Sequence, residues 1–474
     1  ENGENLKARQ KSDDLIVAEK GVKASGAKGV TERRSLRGSI GRTGDGTLME
    51  QESKGIRWQS ENRRKVQNLM YLVNEGTLRE EHRKQSGKKA TGIDGVKKDD
   101  YGEKLDENLK DLIGRMKQFS YKPQAVRRTY IPKTNGKLRP LGIPSYEDKL
   151  VQGVMADILN DVYEPRFLDS SYGFRPGRNQ HQVVQLINRT IMTRKVNYVL
   201  EADIKGFFDN VNHDWLMKFL GNDIEDKNFL RYIKRFLIAG VMEDGQYLES
   251  NRGTPQGGLI SPVLANVYLH YVLDWWFETV MRPQLEGEAY YVRFADDFLV
   301  LFQFERDAER VMEALSLRLK AFSLELAEEK TRILPIGRYK GTKEDFDFLG
   351  FTFFNTKTRA GKYRLGVRTS KKKLKAKKQA AKEWLRTQLT KPVSETMKTI
   401  AAIARGHCNY YGVSGNFLCI LKYWKYLKYS TYRMLNRRDQ KGKLSFPKFL
   451  RIWNYYVPKP RLTKDIWQWQ PKTV

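Results

Sequence analysis

Cysteine is almost missing from this chain. Only Cys408 and Cys419 occur among the 474 residues, and they form no Cys-x-x-Cys pair. A disulfide framework and a cysteine-type zinc finger are thereby excluded, and a reducing compartment suits the composition. Both thiols read as core residues. Long apolar runs are missing too: nothing approaches the roughly 20 residues that span a bilayer, and no signal-peptide pattern opens the sequence. Negative charge is in short supply. Lys plus Arg number 87 against 56 for Asp plus Glu, a formal net charge of +31. Such an excess points to a polyanionic partner, nucleic acid or an anionic membrane surface, and the missing apolar runs weaken the membrane reading. Aromatic residues, 12% of the chain, supply surfaces on which bases stack.

The chain is long enough for several domains and a substantial core. Residues 1–50 are rich in Gly, Lys, Arg and Ser and poor in large apolar residues, which predicts a flexible basic extension. "GVKASGAK" suggests a phosphate loop, but Gly26 is followed by Ala27 rather than Lys, so the pattern fails. From about 58 a helical spacing starts, with Val66, Leu69, Met70 and Val73 at core positions. "RRTYIPKTNGKLRPLGIP" predicts a hairpin turning at Asn135-Gly136. "NYVLEADIKGFFD" predicts a strand and a turn. Helical faces follow at Phe229, Ile233, Phe236 and Leu237, and at Val311, Leu315, Leu319 and Phe322. Strands alternating with helices predict a mixed α/β (α+β) domain. After "FDFLGFTFF" a basic helix begins, "SKKKLKAKKQAAKEWLRTQL", with Leu374, Ala381, Leu385 and Leu389 on one side. Two more helices are predicted near 394–411 and 417–436. The tail from 441 is short, aromatic and proline-containing.

"AYYVRFADDFLVLF", residues 289–302, places Asp296 and Asp297 inside a run suited to a buried strand. An ionised carboxylate buried without a partner costs several kcal/mol. Three readings stand: a tight turn at Asp296-Asp297, a pair satisfied by nearby Lys or Arg, or a metal site. Asp203 ends another apolar strand, "YVLEAD". Strand ends can bring it beside the other two acids, and three clustered carboxylates repel unless cations sit between them. Mg²⁺ prefers such oxygen ligands.

"ADIKGFFD" and "FADD" together resemble the signature of a two-metal nucleotidyl transferase. More narrowly, the chain from about residue 60 onward resembles the reverse transcriptase and maturase of bacterial group II introns. The resemblance rests on "ATGIDGV", "IPKTNGKLRPLGIPSYEDKLVQ", "SYGFRPGRNQHQ", "ADIKGFFDNVNHDWL", "RGTPQGGLISPVLANVYLH", "VRFADDF", "EEKTRIL" and "FDFLGFTF", in the family's order. One departure is Phe294, where the family has Tyr before Ala-Asp-Asp. The resemblance implies a right-hand polymerase. Fingers and palm, with an antiparallel palm sheet, would occupy 51–355, an α-helical thumb (domain X) 356–440 and a short tail 441–474. It implies RNA-directed DNA synthesis with two Mg²⁺, Mn²⁺ able to substitute, held at Asp203, Ile204, Asp296 and Asp297. Lys133 and Arg139 would clamp the triphosphate, and Phe208 would exclude a ribose 2′-hydroxyl. Gln256 would contact nucleotide or template, with Gly257 and Gly258 allowing close approach, and Lys330 would protonate pyrophosphate. Each has a plain alternative: an exposed hairpin cation, a core aromatic, an ordinary loop, a solvated lysine. Lys371, Lys372, Lys373, Lys375, Lys377 and Lys378 would contact RNA, as would Lys422, Lys425 and Lys428 among tyrosines, where lysines snorkelling over a partly buried aromatic helix are the alternative.

The implied partners are intron RNA, an RNA template with DNA primer, target DNA and deoxynucleoside triphosphates, in the bacterial cytoplasm or at the nucleoid. Beyond residue 440 there is no His or Cys, so no His-Asn-His endonuclease is expected, although the tail could touch DNA. Two other functions compete: a host-adopted reverse transcriptase in phage defence or repair, and a splicing factor that no longer polymerises.

Overall fold

The computed structural model describes residues 56–57, 59–62, 64–132, 138–254, 257–438 and 444–469. The basic extension, Lys133, the Asn135-Gly136 turn and Gln256 lie outside the described residues.

A four-stranded antiparallel sheet occupies the centre, in the order β6-β7-β3-β8. Its strands are β3 (Tyr198–Ala202), β6 (Ala289–Phe294), β7 (Asp297–Phe302) and β8 (Arg332–Pro335). "FLVLF" is apolar throughout because both faces of β7 are covered. Phe298, Val300 and Phe302 enter one core, shared with Val311, Leu315 and Leu319 of the Glu305–Ala321 helix. Leu299 and Leu301 enter a second, shared with Val183, Val184 and Ile187 of the Gln180–Thr193 helix. Period-two alternation therefore persists, but it sorts residues between two interiors rather than between core and water.

A hairpin pairs β1 (Val126–Pro132) with β2 (Leu138–Ile143), Pro132 opposite Leu138. β1 continues, in parallel, to β4 (Val241–Glu243), which pairs with β5 (Gln246–Leu248). A third sheet, in the order β11-β10-β9, comprises β9 (Asp345–Phe348), β10 (Phe351–Lys357) and β11 (Tyr363–Thr369). The boundary drawn at 355/356 cuts through β10, because charge begins to accumulate before the hairpin closes.

Among the described residues four helices follow: Lys371–Arg386, Val393–Tyr411, Phe417–Asn436 and Phe446–Tyr456. They share a core of Ala381, Leu385, Met397, Ile400, Leu427, Phe449 and Trp453. The segment read as a tail thus contributes a helix whose Trp453 is fully buried. Leu389 lies beyond the first of these helices and is exposed, so it does not join that apolar side. The helical spacing near Val66 also misleads. Val66 bridges Ile224, and Leu69–Leu72 forms a 3-10 turn after left-handed Asn68, although Val66, Leu69 and Val73 are buried as predicted. Cys408 is buried, Cys419 half-buried, and both are free thiols. Among the described residues no helix is long and apolar enough to cross a membrane.

Candidate active site at the end of the palm sheet

The strand register builds the site. Ala202 is the last residue of β3 to pair with β7, opposite Phe298, so Asp203 emerges beside Asp297. Phe294 pairs with Asp297 across the β6–β7 hairpin, leaving Ala295 and Asp296 as its two-residue turn. The turn is therefore not Asp296-Asp297 but sits one residue earlier. Ala295 has φ 58°, a left-handed conformation that this kind of hairpin requires and alanine rarely adopts. All three acids reach one sheet end from two adjacent strands.

Their charges are felt. Burial raises the Asp296 carboxyl above the ordinary carboxylate range, the Asp203 charge adding to it while Arg139 opposes it. Asp297 is pushed up to about 7, first by the protein crowding it and then by Asp296 and Asp203, against Lys330 and Lys373. Asp297 is exposed, so solvent screens part of this shift; its two acidic neighbours hold it upward. Asp203 is ion-paired with Lys330, which follows from the Glu328–Lys330 turn. This hydrogen bond, foremost, raises the lysine above its ordinary value. Among the described residues, no three His, Cys, Asp or Glu side chains lie close enough together to hold a metal ion as they stand. The donors are nonetheless hard oxygens whose mutual repulsion the neighbouring Lys330, Lys373 and Arg139 offset only in part, the set that suits Mg²⁺ or Mn²⁺. Ile204 is 3% exposed, so only its main chain could contribute. Its bridge to Leu326 is closed by the Asp203 and Glu325 carbonyls and leaves the Ile204 carbonyl out of both bonds.

Around the acids stand further predicted residues. Arg139 is exposed on β2 within electrostatic reach of Asp296. Gly257, φ 116°, runs against β2: a Cβ there would lie 2.5 Å from the Gly142 carbonyl oxygen, so the backbone does approach closely. Phe208 is half-buried in the short Phe207–Asn210 helix, its carbonyl accepting from Thr254 N–H at 2.8 Å. Its ring meets the edge of Phe174, 6.4 Å between centroids. Phe174 itself is 48% exposed with φ 58°, and no local sequence signal marks it.

The lysines divide. Lys371, Lys372, Lys373 and Lys375 are exposed, as are Lys422 and Lys425. Lys377 and Lys378 instead lie over Tyr411 and Tyr426 at 5.4 and 5.2 Å, and Lys428 over Trp424 at 4.8 Å. Those three pack on rings rather than project freely. Of the tyrosines beside them, Tyr423 is buried and Tyr429 is 50% exposed.

Comparison with known proteins fixes the family. Residues 131–353 match the model described as reverse transcriptase (RNA-dependent DNA polymerase). Over 424 residues the chain is 31% identical to the group II intron-encoded protein LtrA of Lactococcus lactis subsp. cremoris, spanning 72% of this chain and 69% of that one. The chain belongs to the group II intron-encoded reverse transcriptases and maturases. The reverse transcriptase is also 32% identical over 312 residues to protein YkfC of Escherichia coli (strain K12), spanning 59% of this chain and 80% of that one. It is 38% identical over 186 residues to an uncharacterized 91 kDa protein in the cob intron of Schizosaccharomyces pombe, spanning 39% and 22%. The reverse transcriptase is therefore an RNA-directed DNA polymerase whose partners are nucleic acids and whose family uses divalent metal ions.

Proposed function

We infer that this reverse transcriptase copies its own intron RNA into DNA during retrohoming and assists that intron's splicing. Asp203, Asp296 and Asp297 would hold two Mg²⁺. The single observation behind this assignment is the register that delivers three carboxylates to one sheet end, where their mutual repulsion calls for cations. When bound, such ions activate a primer 3′-hydroxyl and stabilise the leaving pyrophosphate.

The chain's own groups do the rest. Arg139 offers a planar fork to the triphosphate. Phe208, stiffened by Phe174, walls the sugar so that a 2′-hydroxyl meets the ring. Lys330, held protonated beside Asp203, can give a proton to the departing pyrophosphate oxygen. Exposed Lys371, Lys372, Lys373 and Lys375 face outward to RNA phosphates, with Lys422 and Lys425 on a neighbouring helix. Target DNA and deoxynucleoside triphosphates complete the partner set.

The test is primer extension on an RNA template by Asp296→Ala and Asp203→Ala. Each change removes one of three repelling acids, so the fold should persist while synthesis is abolished. Substantial extension in Mg²⁺ by either variant would refute the assignment.

A further inference from the structure

Arg293 lies two residues before Ala295 on β6 and is 0% exposed. On that strand Val292 and Phe294 pack into one core and Tyr291 into the other, so a cation here demands compensation. It is complete. Nε donates to Asp274 Oδ1 at 2.7 Å, and Nη2 to Asp274 Oδ2 at 2.5 Å and Ser171 Oγ at 2.8 Å. Nη1 donates to Asn266 Oδ1 and to the Ala295 carbonyl, both at 2.9 Å. These bonds employ every N–H that a guanidinium possesses. Asp274, itself 0% exposed, sits in a π-helical turn, His270–Asp274, and also accepts from Tyr291 Oη at 2.9 Å.

This network converges on the turn that carries Asp296. The peptide whose oxygen Arg293 holds joins Ala295 to Asp296, and Ala295 is the left-handed residue. A non-glycine residue in that region costs roughly 1–2 kcal/mol and persists only where its surroundings over-determine it. The opposite side is closed as well. Tyr172 N–H donates to the Arg293 carbonyl at 2.9 Å, and Asn266 Nδ2 holds the Gly173 carbonyl at 2.8 Å. Gly173 consequently abuts the turn so closely that a Cβ would stand 2.2 Å from Ala295 N. Rotation of the 295–296 peptide would swing Asp296 and break the Arg293 bond.

We propose that Arg293 is a positioning residue for polymerisation: it fixes the Ala295-Asp296 peptide, thereby aims the Asp296 and Asp297 carboxylates, and so sets metal affinity and the rate of chemistry rather than nucleotide affinity. The proposal rests on the reading of these aspartates as metal-binding acids. Phosphate chemistry and primer do not touch Arg293; it acts through the turn.

Arg293→Lys tests it, because lysine keeps a charge against Asp274 but gathers its donors on one nitrogen and cannot reach all four partners. Two readouts are needed. Mn²⁺ binding, followed by electron paramagnetic resonance with a chain-terminated primer on an RNA template, should weaken about tenfold, the usual effect of losing a group that orients a metal ligand. Single-turnover extension should slow by about tenfold or more with the KM for nucleotide within about twofold, the signature of an interaction that acts on the chemical step. A variant that melts at a lower temperature but retains wild-type Mn²⁺ affinity and extension rate would overturn the proposal and leave Arg293 a purely structural ion-pair partner. Should Arg293→Lys fail to fold, Arg293→Met combined with Asp274→Asn removes both charges together and is held to the same two readouts. Asp296→Ala in the same series separates the failures. If it still binds Mn²⁺ and extends, the metal assignment is wrong; if it is dead while Arg293→Lys is normal, only the positioning role is wrong.

Discussion

Gly173→Ala is a one-carbon perturbation aimed at the Ala295-Asp296 turn. Gly173 does not use a left-handed backbone, so alanine is conformationally acceptable there. The penalty is contact. The new Cβ would lie 2.2 Å from Ala295 N, 2.8 Å from Phe294 C and 2.9 Å from Ala295 Cα, all main-chain atoms, whereas real Cβ contacts stay beyond 3.0 Å. Something must move by about 0.8 Å or more. The Gly173 segment is tied at its own carbonyl by Asn266 and one residue earlier by Arg293, so displacement falls largely on the turn. Overpacking of this kind costs about 1–3 kcal/mol of stability. A displacement near 1 Å at reacting groups can cost about 10²-fold in rate. Single-turnover extension at saturating nucleotide should therefore fall about a hundredfold, with RNA affinity unchanged and a modest drop in melting temperature. Gly114→Ala is the control: Gly114 lies in the Leu105–Lys117 helix with nothing within 4 Å of a Cβ, so activity should be unchanged. A fully active Gly173→Ala would refute the claim that close approach of this segment fixes the turn.

The raised Asp297 carboxyl predicts a pH dependence. Its folded value, about 7, exceeds the ~3.9 of an unfolded aspartate, so the metal-free fold binds more protons between those values. Stability from this source is present below pH ~4 and is lost as pH rises through about 7. Since metal binds the deprotonated acid, Mg²⁺ should raise the melting temperature more at pH 8 than at pH 5.5, and Asp297→Asn should erase the difference; an equal Mg²⁺ effect at both pH values in the wild type would contradict this. The lysines should divide by function. Gln at Lys371, Lys372, Lys373 and Lys375 should flatten the log–log salt dependence of RNA binding by up to roughly 3, since each phosphate contact contributes about 0.7–0.9. Gln at Lys377 and Lys378 should leave that slope alone and cost the thumb about 0.5–1 kcal/mol for each lost ring contact; a changed slope there, with stability intact, would reverse the assignment.

Much of the architecture was legible because its signals are local. The helices near 394–411 and 417–436 appear at Val393–Tyr411 and Phe417–Asn436, since apolar periodicity over five turns leaves little choice of face. The β1–β2 hairpin and the strand before Asp203 follow from equally local patterns. Where prediction slipped, a distant partner decided. Val66 has helical neighbours in sequence, but its N–H donates to the Asp223 carbonyl and its carbonyl accepts from Glu225 N–H. A run of lysines reads as one charged surface, yet each residue advances about 100° around a helix. Lys377 and Lys378 therefore turn toward Tyr411 and Tyr426 of the neighbouring helices while Lys371 to Lys373 do not.

The acids and their supports differ in the same way. Two carboxylates inside an apolar strand are conspicuous on chemical grounds, because burial makes them costly, and Asp203 at a second strand end is conspicuous for the same reason. The turn that aims them is not. Aspartate is a better turn former than alanine, so sequence preference places the bend at Asp296-Asp297, whereas the register places it at Ala295-Asp296. What overrides the preference is assembled from Ser171, Gly173, Asn266 and Asp274, none of them adjacent to the turn in sequence. Arg293 alone could have been suspected: an arginine between Val292 and Phe294 in a strand that is buried on both faces must have a carboxylate partner. Finding that partner required the fold, because nothing in "HYVLD", the π-helical turn that ends in Asp274, says that its carboxylate meets a strand 19 residues on. A site whose ligands answer to local chemistry and whose geometry answers to long-range contacts shows its acids in the sequence and hides what aims them.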